Sequence, residues 1–162
     1  MSVMPANLYG ENDNFHNKNS HVLPALLRRF HEAKINKDKT VEVWGTGEAM
    51  REFLHVSDMA DACIYILEKC DFNKIYKENI SQINIGTGEE ISIKNLALLI
   101  SKVVGYEGKI SFDTSKPDGT LRRVLDSSRL NKLGWNHKIN LEEGLESTYR
   151  WFKLNEQNIR SF

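Results

Sequence analysis

The chain has little of what marks several special classes of protein. It holds two cysteines in 162 residues, and its 22 basic and 22 acidic side chains cancel. No apolar run is long enough to span a membrane, and the first residues have neither the basic region nor the apolar run of a secretion signal. A balanced charge gives no support for binding to nucleic acid or to an anionic membrane. We therefore expect a soluble globular protein without either partner.

The spacing of the two cysteines argues against a disulfide. Cys63 and Cys70 lie on one predicted helix, which separates their Cα atoms by about 10 Å, too far for a bridge. Reduced thiols fit the cytoplasm, which is the expected location. His16 and His21 do not suggest a metal site, because no further ligand lies near them at metal-binding spacing.

Strand and helix patterns alternate along the chain. Strands are predicted at 3–8, 40–44, 82–85 and 109–112, and a charged loop at 71–78. Helices are predicted after capping residues, which are Asn19 or Ser20, then Ser57, Ser92 and Asn140. A short helix is also predicted at 127–133, opened by Asp126 and stopped by Gly134. The first of these helices is expected to end near Ala33, and the third to stop at Gly105. This order predicts an α/β or α+β fold in one domain, or a large part of one.

The most informative stretch covers residues 44–58. Trp44 and a glycine turn at 45–47 precede Arg51, and His55 follows at a spacing of four that would place both side chains on one strand face. A guanidinium beside a tight turn and an aromatic ring suits a nucleotide diphosphate. A surface hairpin with a solvated arginine explains the same pattern equally well.

The glycine turns at 45–47 and 86–88 do not complete a dinucleotide-binding fingerprint. Neither reads G-x-G-x-x-G, and neither is followed by an acidic residue about 20 positions later. The second turn does follow a predicted strand and precede a helix, but without the third glycine it indicates tight packing more than phosphate binding.

Two further groups carry charge that could act in a site. His21 lies at a helix N-terminus, where the helix dipole disfavours the imidazolium and a proton could be exchanged near neutral pH. Lys116, Arg122 and Arg123 surround a Pro-Asp-Gly turn that could bind a ligand. Simple packing of the histidine and a solvated turn are the alternative interpretations.

Three segments resemble the C-terminal half of the extended short-chain dehydrogenases/reductases, which act on nucleotide sugars. They are PANLYG at 5–10, the WGxGxxxREFxxVxD pattern at 44–58, and NIGTG at 84–88. The runs at 13–16, 19–31 and 115–120 are most similar to members that epimerise a GDP-linked 4-keto-6-deoxy sugar and reduce it with NADPH. The resemblance covers nearly the whole chain. It implies that residues 1–162 form the substrate-binding part of a Rossmann-like α/β fold. On its own, this part is expected to be mixed α+β.

The resemblance also implies roles for particular residues. His21 matches the family's proton donor in 3,5-epimerisation and is expected to border the cofactor. The segment that lies along the nicotinamide and the sugar is matched by Pro5, Ala6, Asn7 and Leu8, of which Asn7 is also expected to contact the substrate. The positions that hold the GDP-sugar are matched by Val22, Trp44, Arg51 and Lys116. The family is commonly a homodimer.

The family's cofactor half has no counterpart in these residues. There is no glycine-rich turn after the first strand, no serine or threonine with a Tyr-x-x-x-Lys set, and no matching catalytic cysteine. Tyr65 and Lys69 have the Tyr-x-x-x-Lys spacing, but they lie on a predicted helix, and we interpret this match as chance. We therefore expect the NADP-binding half to be absent, and the chain alone neither to bind NADPH nor to turn over. A catalytically inactive binding or interaction module, and a related epimerase or dehydratase with another nucleotide sugar, remain alternatives.

Overall fold

A computed structural model describes residues 2–16, 19–71 and 82–159. Most of the charged loop expected at 71–78 lies outside these residues. In chain order the elements are β1 Ser2–Pro5, β2 Asn7–Tyr9, α1 Val22–Asn36, β3 Thr40–Trp44, β4 Met50–Arg51, β5 Phe53–His55, α2 Val56–Lys69, β6 Gln82–Ile85, β7 Ile91–Ser92, α3 Ile93–Val104, β8 Lys109–Asp113, β9 Arg122–Arg123, α4 Ser128–Lys132 and α5 Leu141–Asn155, followed by a 3₁₀ turn at Glu156–Asn158.

The strands pair mostly in parallel with distant parts of the chain. β1 pairs with β6, β2 with β5, and β3 with β8, all in parallel register. β4 lies between β7, which is antiparallel, and β9, which is parallel. Parallel neighbours require crossover connections, and helices lie in these connections. The α/β prediction is confirmed.

The first strand changes partner, although one continuous strand was predicted over 3–8. The amide of Ala6 donates its hydrogen bond to the carbonyl of Ile85 at 2.9 Å, which completes the pairing with β6. From Asn7 the chain pairs instead with β5, opposite Phe53. The prediction of one strand was wrong because an extended pattern does not show which neighbour each residue pairs with. The change brings Asn7 beside the arginine-containing stretch.

Two helices begin after histidines where other caps were predicted. His21 precedes α1 in place of Asn19 or Ser20 and makes no side-chain cap. His55 precedes α2, and its Nδ1 accepts a hydrogen bond from the amide of Ser57 at 3.3 Å. The predicted Ser57 cap was therefore wrong, because the imidazole two residues earlier already satisfies an amide of the first turn.

The remaining caps follow the local sequence more closely. Ser92 accepts from the amide of Asn95 at 3.1 Å, and Asn140 from that of Glu143 at 2.9 Å, as predicted. Gly105 ends α3 in the left-handed conformation. Helix α1 runs past the predicted end to Asn36.

The apolar core has two clusters. The larger one joins α1, α3 and α5, and its fully buried members include Phe15, Leu27, Phe30, Leu96, Ile100, Leu145 and Phe152. The smaller one packs α2 and α4 against β6, through Leu54, Ala62, Ile66, Ile83, Ile85, Leu130 and Trp135. Each large side chain contributes about 1.5–3 kcal/mol through burial. Cys63 and Cys70 are free thiols, as predicted.

Glu52 is a buried carboxylate that joins distant segments, with 1% of its surface exposed. Its Oε1 accepts from the amide of Gly88 and its Oε2 from that of Leu125, both at 2.8 Å. Its carbonyl accepts from Asn7 Nδ2 at 2.7 Å. A Cβ at Gly86 would lie 2.2 Å from Oε1. The turn at 86–88 therefore packs on a carboxylate, in agreement with the packing interpretation.

We predict that Glu52→Ala destabilises the chain by about 3 kcal/mol, because the amides of Gly88 and Leu125 lose their acceptor and a buried side chain is removed. Urea unfolding of the full chain measures this. Glu48→Ala, which removes an exposed carboxylate four residues away, should change stability by no more than about 0.5 kcal/mol. Equal losses in the two variants would contradict the role given to Glu52.

Candidate functional site

Residues 113–123 form a strap that lies along the stretch between Trp44 and Arg51. At one end the amide of Gly45 donates to the carbonyl of Asp113 at 2.9 Å, and at the other that of Met50 donates to Leu121 at 2.7 Å. The pairing of β3 with β8 and of β4 with β9 continues these contacts. The strap is therefore attached at both ends through the main chain.

Three predicted substrate residues lie on or beside the strap. Trp44 ends β3 with 61% of its surface exposed, and Arg51 is half-buried with its Nη1 donating to the carbonyl of Met50 at 2.7 Å. Lys116 is exposed on the strap itself. A Cβ placed at Gly119 would lie 3.8 Å from Arg51 Nη2. The structure thus places one aromatic and two cationic side chains on the strap or on the stretch that it lies along.

Asp118 fastens the middle of the strap to the glycine turn. Its Oδ1 accepts from the amide of Thr46 at 2.7 Å, and its Oδ2 from the Thr46 hydroxyl at 2.8 Å. These donors hold the pKa of Asp118 below its usual value. Gly45 has a φ of +83°, and a Cβ there would lie 2.2 Å from Oδ1, so the turn requires glycine. The sequence indicated only a turn here.

Helix α1 contributes a further cation. The guanidinium carbon of Arg29 lies 5.9 Å from the centre of the Trp44 ring, and Nη1 donates to the carbonyl of Glu42 at 2.6 Å. Val22, which is half-buried, lies seven residues earlier and therefore on the same helix face. The contact of Arg29 with Trp44 was not found from the sequence, because the helix pattern indicated only that this arginine lies off the apolar face.

His21 is exposed immediately before α1. Its backbone is extended and its carbonyl accepts from the amide of Ala25 at 3.0 Å. Burial raises the pKa of Asp13, and the amide of Asn14 and the charge of His21 partly oppose this effect. Within the described residues no hydrogen bond or ion pair joins His21 to Trp44, Arg51 or Lys116. The imidazole is therefore a separate part of the candidate site.

The predicted cofactor residues follow the carboxyl end of the parallel pair of β1 and β6. Pro5 is exposed, whereas Ala6, Asn7 and Leu8 are half-buried. Ligands of open α/β sheets bind at this end. The place of these residues at this end of the strands is where a dinucleotide binds such a sheet. The turn at 86–88 does not fit its phosphates, because the Glu52 carboxylate already occupies the amide of Gly88.

One prediction about charged neighbours was wrong. Arg51 and His55 do not share a strand face, because they lie on β4 and β5, which belong to different sheets. In the basic cluster around Lys116, Arg122 pairs with Glu90 at 2.7 Å. Arg123, also on β9, is beside Arg51 in the sheet register.

His55 is buried beside Tyr9 at the start of α2. Its ring lies edge-to-face with Tyr9 at 5.3 Å, and among the described residues Nε2 has no hydrogen-bond partner. Burial lowers the pKa of His55 from 6.5, although Asp58 and Glu11 oppose this effect. The neutral imidazole is therefore the form that the fold stabilises.

We predict that stability falls as the pH drops below about 6.5, because the unfolded chain then binds a proton at His55 that the folded chain does not. His55→Asn keeps an acceptor for the Ser57 amide but does not titrate. Between pH 7.5 and 5.5 the unfolding free energy of this variant should fall less steeply than that of the unaltered chain, by up to about 1.4 kcal/mol per pH unit. Identical slopes in urea unfolding would refute the assignment.

Two general features complete the site description. In the described part of the chain, no three histidine, cysteine, aspartate or glutamate side chains are grouped as metal ligands would be. None of the helices described has the length and apolar content needed to cross a membrane.

The fold and the site define a Rossmann-like α/β protein with a polar surface beyond its parallel strands. Residues 1–86 match the model of the NAD dependent epimerase/dehydratase family. This match covers more than half of the chain, and the chain belongs to that family.

Individual relatives agree with this assignment. The chain is 56% identical over 163 residues to GDP-L-fucose synthase of Escherichia coli K12, covering 98% of this chain and 50% of that protein. It is 53% identical over 158 residues to GDP-L-fucose synthase 1 of Arabidopsis thaliana, covering 98% and 47%. A crystal structure of a GDP-L-fucose synthetase from Naegleria fowleri bound to NADP has a TM-score of 0.87 at 28% identity, covering 99% and 49%. The chain thus spans about half the length of these relatives.

Proposed function

We propose that residues 1–162 form the nucleotide-sugar-binding portion of a GDP-L-fucose synthase. That enzyme converts GDP-4-keto-6-deoxy-D-mannose to GDP-L-fucose by 3,5-epimerisation and NADPH-dependent reduction of the 4-keto group. The observation that carries the proposal is the strap, which places Lys116 on a segment that begins beside Trp44 and ends beside Arg51. The names of the relatives support the choice of a GDP-sugar.

The exposed surface suits each part of such a substrate. The planar guanidinium of Arg51 can donate two parallel hydrogen bonds to a diphosphate, and Lys116 adds a mobile point charge. The exposed face of Trp44 offers an apolar wall to the base or sugar. Val22 and Asn7 would complete the surface on the side of α1 and β2.

His21 would supply the proton transfer. Epimerisation beside a ketone requires one group to remove a proton and another to return it from the opposite face. The exposed imidazole of His21 is able to return that proton. NADPH, when bound, supplies the hydride for the ketone. Pro5, Ala6, Asn7, Leu8 and His21 would border its nicotinamide end.

The proposal assigns the remainder of the NADP site to residues outside these 162. About half of each relative lies outside the region that this chain matches. We accordingly expect the chain alone neither to bind NADPH nor to turn over. The same proposal includes a cytoplasmic location, which the free thiols of Cys63 and Cys70 support. It also includes a homodimer of the complete enzyme.

We predict that the chain binds GDP-fucose in calorimetric titration and prefers it to UDP-glucose. Arg51→Ala should weaken this binding at least about tenfold, because the diphosphate loses a charged donor pair. Arg150→Ala removes the same charge from the exposed face of α5 and should have no effect. Equal binding of the two nucleotide sugars, or an unaltered Arg51→Ala variant, would overturn the proposal.

A second test concerns His21 in an enzyme that joins this chain to the remaining half of the Escherichia coli relative. His21→Gln should slow the 3,5-epimerisation by about a hundredfold or more while GDP-fucose binding persists. Incorporation of solvent deuterium into the keto sugar measures the proton transfers. His137→Gln, on the loop before α5, is the control. Unchanged deuterium incorporation and turnover in His21→Gln would remove the residue from the mechanism.

A further inference from the structure

The chain folds back on itself immediately before α1. The side-chain amide of Asn14 donates to the carbonyl of Asn19 at 3.0 Å. The Ser20 hydroxyl donates to the carbonyl of His16 at 2.6 Å, and the amide of Asn19 donates to Nδ1 of the same histidine at 3.1 Å. Because these bonds cross from one segment to the other, they hold the two segments side by side.

Asp13 and His21 lie just outside these bonds, one on each segment. Position 13 precedes Asn14, and position 21 follows Ser20. The charge of His21 acts on the Asp13 carboxyl and offsets part of the rise in its pKa that burial causes. Within the described residues no hydrogen bond or ion pair joins the two side chains. They are therefore near neighbours without a direct bond.

The Asp13 carboxylate is only half satisfied. Its Oδ1 accepts from the amide of Asn14 at 2.6 Å, whereas Oδ2 is buried and has no hydrogen-bond partner in the described part of the chain. A buried acceptor without a partner costs free energy of folding. Glu52 differs, since amides of distant segments satisfy both of its oxygens. Stability therefore explains the carboxylate of Glu52 but not that of Asp13.

A negative charge beside His21 would favour the protonated imidazole. This side chain lies at the N-terminus of α1, where the helix dipole disfavours a cation. The first turn of α1 holds no acidic residue, and the imidazole makes no cap. Asp13, on the preceding loop, is a carboxylate that opposes the dipole.

We infer that Asp13 is a positioning residue for the proton donor His21. In the complete enzyme, Asp13 Oδ2 accepts a hydrogen bond from one ring nitrogen of His21, and the other nitrogen returns a proton to the carbon of the enolate. The imidazole is left neutral, and Asp13 keeps its charge. Such bonds are often long in the free enzyme and tighten when the substrate is bound. The inference rests on the proposed function.

The first arm of the test measures stability. Asp13→Asn keeps the shape of the side chain and removes its charge. In urea unfolding of the full chain, the midpoint of this variant should be equal to or higher than that of the unaltered protein, because the partnerless acceptor is no longer charged. Glu52→Gln is the matched comparison and should lower the midpoint, since two amides lose an acceptor oxygen. An equally large loss in Asp13→Asn would indicate a merely structural carboxylate and would overturn the inference.

The second arm uses the enzyme that joins this chain to the remaining half of the Escherichia coli relative. At saturating substrate, Asp13→Asn should slow the incorporation of solvent deuterium about tenfold, less than His21→Gln does, while the Kd for GDP-fucose stays the same. Asp13→Glu should restore part of the rate, because it returns the carboxylate. Glu11→Gln removes an exposed carboxylate from the same loop and should have no effect. An unaltered rate in Asp13→Asn would overturn the inference.

The coupling of the two residues is measured in the His21→Gln background. If Asp13 acts through the imidazole, Asp13→Asn has no further effect once His21 is replaced. Slowing by the same factor in both backgrounds would mean that Asp13 acts independently, and it would overturn the inference.

The outcomes separate this inference from the proposed function. If His21→Gln turns over as fast as the unaltered enzyme, the role proposed for His21 fails and that of Asp13 fails with it. If His21→Gln is slow and Asp13→Asn is not, the inference alone fails.

Discussion

The arrangement of the site depends on one buried charge. Glu52 follows Arg51, which lies beside the strap, and precedes Phe53 of the core. A carboxylate without hydrogen-bonding partners would be very costly in this position. The amides of Gly88 and Leu125 satisfy its oxygens, and Asn7 satisfies its carbonyl. The segments that carry these groups must therefore stay in register, and that register places Asn7 beside Glu52, the residue after the arginine.

Two further side chains, three and six residues after Glu52, also accept hydrogen bonds from main-chain amides. His55 accepts from the amide of Ser57, and the buried Asp58 accepts from the amides of Lys138 and Ile139. Glu52, His55 and Asp58 thus each satisfy main-chain amides. The amides bound by Glu52 and Asp58 lie on distant loops. The apolar clusters supply most of the stabilising area, but apolar contacts alone do not specify register. These acceptors join the first half of the chain to the loops of the second half.

The sequence predicted those parts of the fold that depend on near neighbours. Strands β3 and β6, the Ser92 and Asn140 caps and the end of α3 at Gly105 were predicted correctly, because each is decided within about five positions. The division between β1 and β2, and the separation of Arg51 from His55, were not. Both depend on which distant strand pairs with each residue, and alternation along one segment carries no such information.

A similar division holds for the candidate site. Trp44, Arg51 and Lys116 could be named from the sequence because the family resemblance matches them to substrate-binding positions, and their side chains have the chemistry that a diphosphate and a base require. Asp118 could not, because a Pro-Asp-Gly turn already explains an aspartate locally, and its partner Thr46 lies 72 residues away. An acidic residue on a surface proposed to bind a diphosphate also contradicts simple charge complementarity. Only the two donors of Thr46 show how that charge is compatible with the site, and they are visible only in the folded chain.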